Sequence, residues 1–151
     1  MSHKDKNGVY QSMSNIPSHY GDKGEDVFGW CLCDVPLLLM ALLKAKVDYQ
    51  QHIKSDVEHL LSLYTEQGFP CLVSEEHGAF RGPGRKDDCC PFATLIMIKL
   101  LSEIDEYRNS DTIKSVVDVI LSLWENSLER HLYMVLYRYG FPQAKSTRHA
   151  V

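Results

Sequence analysis

The chain repeats itself, and this limits its possible folds more than any other feature. Residues 53–64 (IKSDVEHLLSLY) lie over residues 113–124 (IKSVVDVILSLW) with seven of twelve positions identical. In the first copy Ile53, Val57, Leu60, Leu61 and Tyr64 recur at helical spacing, and in the second Ile113, Val116, Val117, Ile120, Leu121 and Trp124 do the same. Each copy therefore reads as a helix with one apolar stripe and one wet face. Each is preceded by a more uniformly apolar run that begins beside a proline, Asp34-Val35-Pro36 before Leu37–Leu43 and Cys90-Pro91 before Phe92–Leu101. Proline suits the first turn of a helix, where its missing N–H costs nothing.

The unit that repeats is thus a helical hairpin, a first helix apolar on most sides followed by an amphipathic one. A helix without a wet face needs cover on both flanks, which predicts an inner layer of first helices and an outer layer of second ones. Tyr64 and Trp124, at equivalent stripe positions, are expected in the core, and His52 and His59 in solvent. Gln67-Gly68-Phe69-Pro70 ends the first hairpin, with Gly68 as its C-terminal cap and the proline forbidding continuation. The long glycine-rich connection that follows favours a closed α/α toroid over a tightly turned solenoid. The expected fold is all-α, repeated hairpins of α/α-toroid type over residues 30–142. A flexible N-terminal arm spans 1–29 and a C-terminal tail 143–151.

Chemistry concentrates in the connection between the hairpins, Gly78 to Phe92, where glycines and Arg81, Arg85 and Lys86 lead into Asp87-Asp88-Cys89-Cys90-Pro91. Its three basic residues are too few to make a nucleic-acid surface in a chain of formal charge -4 and pI near 5.9. The acidic residues Asp56, Glu58, Asp118 and Glu125 on the amphipathic helices argue against adsorption to a membrane surface. No apolar run reaches the roughly 20 residues of a membrane span, and the polar first thirty residues lack the apolar core of a secretion signal, so a cytoplasmic protein is expected. Five cysteines, an odd number, suit thiols or ligands better than disulfides in such a compartment. Cys31-x-Cys33 lacks the second Cys or His pair that would complete a metal motif. It reads as two thiols packed before a helix, and Cys71 and His77 as separate packing and polar residues. No nucleophile with a positioned base is visible for a hydrolase.

The hairpin grammar, Gly68-Phe69, and Gly78-Ala-Phe80-Arg-Gly82 followed by Lys86, Asp87, Cys89 and Phe92 together resemble the terpenoid cyclase and protein prenyltransferase superfamily, squalene cyclases included. The resemblance covers roughly Trp30 to Pro142. It implies a zinc ion held by Asp87, Cys89 and His131, with Arg85 and Lys86 stabilising the diphosphate that leaves an isoprenoid as a zinc-bound thiolate attacks it. Zinc with one open position would hold such a thiolate. The squalene cyclase acid motif, Asp-x-Asp-Asp, is not present. With about half the hairpins of a complete toroid, the chain is expected to be a partial ring completed by further repeats, a protein partner or an oligomer. The competing reading is a non-catalytic helical module that offers an apolar groove to a protein or lipid partner.

Overall fold

The computed structural model describes residues 3–15, 24–78 and 89–126. The fold starts at Asp5, whose Oδ1 accepts the backbone N–H groups of Asn7 at 2.9 Å and Val9 at 2.8 Å. This turns the chain back so that Lys4 pairs with Tyr10. Oδ2 of the same carboxylate accepts the Trp30 indole N–H at 2.8 Å, and both Val9 and Trp30 are driven into the core. Strand β1 (Ser12–Asn15) then pairs antiparallel with β2 (Asp26–Gly29), Ser12 opposite Gly29 and Asn15 opposite Asp26.

Helix α1 (Val35–Lys44) carries Pro36 in its first turn, as its sequence predicts. A π-helical turn, Tyr49–Ile53, is capped by Asp48, whose side chain accepts the Gln51 N–H at 2.7 Å, and it feeds α2 (Lys54–Ser62). A tight turn joins Thr65 to Gly68, and Phe69 enters the core fully buried. After a short 3₁₀ turn at Glu75–His77 come α3 (Pro91–Ser102), the single turn α4 (Asp105–Arg108) and α5 (Asp111–Glu125). Ser110 caps α5 by accepting the Ile113 N–H at 3.3 Å. Helix α3 packs on α1 and on α5. Leu39, Ile53, Val57, Leu60, Met97 and Leu100 meet in one core with Phe69. Among the described residues no helix is long and apolar enough to cross a membrane.

The expectation of an all-α toroid is overturned, because the described residues combine five α-helices with a two-stranded antiparallel sheet. The physical cause lies in the first thirty residues. Their few apolar side chains bury only because carboxylates satisfy the backbone around them, a local hydrogen-bonding device that hydropathy does not register. Nor are the first helices covered on all sides. Leu37 and Leu38 on α1 are 43% and 37% exposed, and Phe92 and Leu95 on α3 are 45% and 43% exposed.

The repeat folds into helix in both copies but turns different faces inward. Ile53 and Ile113 are both buried, yet Val57 is wholly buried where its counterpart Val117 is 36% exposed, and Tyr64 is half-buried where Trp124 is 62% exposed. Trp124 is therefore a surface residue. Asp56 is the reverse case: read as part of a wet acidic face, it is fully buried. Its carboxylate accepts the Tyr10 N–H at 2.8 Å and pairs with Lys4 Nζ at 2.6 Å. The second copy has Val116 there, also fully buried. His52 is exposed as expected, while His59 is half-buried and meets the Trp30 ring edge-on.

Acid should loosen the Asp5 turn first. Burial favours the protonated form, but hydrogen bonds from the Trp30 indole and from the Val9 and Asn7 amides outweigh it and hold the carboxyl below its ordinary value of 3.8. A carboxyl whose folded pKa is depressed binds fewer protons folded than unfolded. Its contribution is intact above the ordinary carboxylate range and is lost as pH falls through that range to the folded value. Urea midpoints measured from pH 6 to pH 3 should fall less steeply in Asp5→Asn than in the unmodified protein. Parallel curves would refute the assignment.

Candidate functional site

The segment from Pro70 to Val73 runs between two others. On one edge Val73 pairs antiparallel with Cys31, and the Leu32 N–H donates to the Leu72 carbonyl at 3.0 Å. On the other Pro70 pairs with Cys89, and the Cys90 N–H donates to the Phe69 carbonyl at 2.7 Å. These bridges set the start of α1 and the start of α3 side by side and bring Cys31, Cys33, Cys71 and Cys90 to one junction. All five cysteines are thiols, and of these four each is partly exposed.

Within the junction the thiols pair. Cys33 is hydrogen-bonded to Cys31, and that bond, with burial and the charge of Asp34, pushes its thiol well above the ordinary range. Cys90 is hydrogen-bonded to Cys71, and the bond and burial push it up likewise, against the Ala93 N–H, which favours its thiolate. As N-cap of α3, Cys90 Sγ accepts that N–H at 3.4 Å. Helix starts usually favour thiolates, but here the neighbouring thiol and burial win. The Cys33 and Cys90 thiols are consequently held protonated at neutral pH, which suits neither as a ready nucleophile. Among the described residues no group of three or more His, Cys, Asp or Glu is arranged to hold a metal ion.

A second juxtaposition unreadable from sequence is Ser14 Oγ at 3.1 Å from His77 Nε2. This is nucleophile-to-base spacing. His77, however, is fully buried and covers Gly29, where a Cβ would lie 2.6 Å from Nε2. A depression beside the 3₁₀ turn is lined by Asp5, Lys6, Asn7, Glu75 and Glu76 and does not include the pair. With His77 buried and Ser14 half-buried, their contact fastens β1 to the 3₁₀ turn.

Three exposed apolar side chains line up along α5. Val117, Leu121 and Trp124, spaced i, i+4 and i+7, are 36%, 55% and 62% exposed, and they form one stripe on the helix surface. Exposed Asp118 and Glu125 follow the stripe along one side. In the first copy the equivalent residues are Val57, Leu61 and Tyr64, all at least half-buried. Tyr64 there packs its ring at a tilt against Phe69 and reaches α5, its hydroxyl 3.2 Å from Ser115 Oγ.

Of the residues singled out by the resemblance, Arg85, Lys86, Asp87 and His131 lie outside the described residues. Cys89 is placed, 8% exposed, with its Cβ 3.5 Å from where a Cβ on Gly68 would stand. It sits on the core side of its strand bridge, while Cys90 faces the thiol junction. The described residues thus supply one of the three donors that the implied zinc requires. No protein-family model, curated protein or solved structure matches this chain.

Proposed function

We propose that this chain is a non-catalytic interaction module that docks a helix of another protein along α5, and that this helix carries basic residues beside its apolar face. The observation that carries the reading is the exposed stripe of Val117, Leu121 and Trp124, whose equivalent in the first copy of the repeat is covered. A helix is the fitting occupant because a helix, α5 itself, is what Tyr64 of the first stripe reaches. Spacing of i, i+4 and i+7 is also that of a helix-in-groove contact. Charge selects the chemistry: Asp118 and Glu125 along the rim repel anionic lipid and attract lysine and arginine. Two copies of α5 laid antiparallel would set the same acidic edges against each other, which disfavours self-association.

The transferase implied by the resemblance would draw on Arg85, Lys86, Asp87 and His131, and the described geometry adds nothing to it.

A synthetic amphipathic peptide with leucines on one face and lysines flanking them serves as the probe, with Trp124 fluorescence as the readout, since Trp30 is buried. The lysine peptide should bind and weaken as salt rises, and its glutamate counterpart should bind about tenfold or more weakly. Leu121→Lys, an exposed change that keeps the tryptophan, should remove the binding. Equal affinity for both peptides, or no binding at millimolar peptide, would sink the reading. So would sedimentation of the protein alone as a dimer that Leu121→Lys dissociates, because a second copy would then be the occupant.

A further inference from the structure

Helix α1 keeps an uncovered face on the side opposite its core contacts. Val35, Pro36 and Leu39 are buried, while Asp34, Leu37, Leu38, Ala41, Lys44 and Ala45 are exposed and fall within about a third of the helix circumference. The face is ordered along its length: an acid at the N-terminal end, leucine and alanine between, and a lysine at the C-terminal end, about 15 Å away. The Asp34 side chain accepts no capping hydrogen bond, so closing the helix start does not engage it. Phe92 and Leu95, in the first two turns of α3, are exposed at the same end of the molecule, because the strand bridges set the starts of α1 and α3 side by side. Apolar side chains that gather on one side of a protein, rather than scatter singly, mark an interaction surface.

We propose that this face docks on the same face of a second copy of the chain, the two α1 helices running antiparallel about a two-fold axis that passes between Leu38 and Ala41. Charge selects this occupant. Antiparallel alignment sets Asp34 of each copy beside Lys44 of the other, and each helix's negative end beside the other's positive end. The same register sets Leu37 of each copy against Ala41 of the other, large against small, which lets the helices approach closely. A parallel pair would instead oppose like charges at both ends. An anionic membrane or a uniformly acidic helix would meet Lys44 favourably but be repelled by Asp34. The exposed ion pairs fix the orientation and contribute little strength. About three helical turns from each copy make a smaller contact than a standard interface, so the dimer is weak and forms at high protein concentration.

Sedimentation equilibrium of the full chain should show monomers passing to dimers as concentration rises from about 10 μM to about 1 mM. Ala41→Glu, a change at an exposed position in the middle of the face, should leave a monomer at every concentration. Asp34→Lys and Lys44→Asp should each weaken the dimer about tenfold, because each opposes like charges at both ends. An equimolar mixture of these two variants should associate at least as well as the unmodified chain, since the lysines of one then face the aspartates of the other. Mixing cannot repair a folding defect, and circular dichroism of each variant alone checks that it is folded. Leu121→Lys should leave the dimer intact, which separates this contact from the stripe on α5. A monomer throughout, a dimer that persists in Ala41→Glu or that Leu121→Lys dissociates, or a mixture that associates no better than its two components would overturn the proposal.

Discussion

Lys4→Met is expected to lower the free energy of unfolding by about 3 kcal/mol, because it strands a charged carboxylate in the interior. Asp56 is fully buried, and its partners are Lys4 Nζ at 2.6 Å and the Tyr10 N–H at 2.8 Å. Lys4, by contrast, keeps 23% of its side chain exposed and also donates to the His52 carbonyl at 2.9 Å. The two ends of the pair are therefore unequal. Removing the carboxylate in Asp56→Val leaves a lysine that can turn to water, at the cost of one unpaired amide at Tyr10, about 1–2 kcal/mol. Removing the lysine leaves a carboxylate with nowhere to go.

The double variant Lys4→Met/Asp56→Val should recover most of the loss, since apolar groups of similar volume often replace a buried ion pair at little cost. Valine is also what the second copy of the repeat carries at the equivalent position, Val116. Urea unfolding reads the order directly. With a slope of about 1–3 kcal/mol per molar urea, the Lys4→Met midpoint should fall by roughly 1 M or more. A Lys4→Met protein within about 0.5 kcal/mol of the unmodified one would mean that the pair does not fasten the N-terminal segment to α2, since an ordinary surface change has an effect of that size.

This asymmetry shows why some of the structure was legible in the sequence and some was not. The helices were, because their signals are local: Pro36, Pro91 and the stripes of the repeat give α1, α3 and α5 to within a residue or two. How much of the α5 stripe turns inward was not, nor was the burial of Asp56 on α2. Asp56 and Val116 occupy the same place in the repeat and are both buried, but the acid is buried because residues fifty positions away satisfy it. A hydropathy pattern assigns an aspartate to solvent, so Asp56 was misplaced although the apolar stripe of α2 lies inward as read.

The strands failed for a related reason. Ser12–Asn15 and Asp26–Gly29 have little apolar alternation, and what fixes the region is Asp5 and the packing of His77 over Gly29. The thiol junction was hidden differently. Cys31-x-Cys33 looked incomplete because its neighbours, Cys71 and Cys90, come from two segments that only strand bridges bring together. No spacing rule connects them.

Gly68→Ala is expected to cost a similar amount, about 3 kcal/mol, from two separate sources. Gly68 does not cap α2, which ends at Ser62. It closes the turn from Thr65 at φ 109°, a conformation that side chains of L-residues rarely adopt, and this contributes roughly 1–3 kcal/mol of strain. Its face is also filled. An added Cβ would stand 2.9 Å from Thr94 Oγ1 and 3.2 Å from Val119 Cγ1. Thr94 is fully buried and cannot swing aside cheaply, because its hydroxyl donates to the Cys90 carbonyl at 2.9 Å and accepts the Phe69 N–H at 3.0 Å. Overpacking of this kind adds about 1–3 kcal/mol.

Gly8→Ala separates the two contributions, for Gly8 also has a positive φ, 81°, but a Cβ there would meet only Ser55, no nearer than 3.5 Å. It should show the backbone part alone. Thermal unfolding should therefore place Gly68→Ala about 10 °C below the unmodified protein and Gly8→Ala only a few degrees below. Equal losses at the two glycines would show that the approach of α3 to the turn is looser than the distances to Thr94 require. The greater loss at Gly68 would place the constraint at the hydroxyl of Thr94, which joins the end of the first hairpin to the start of the second.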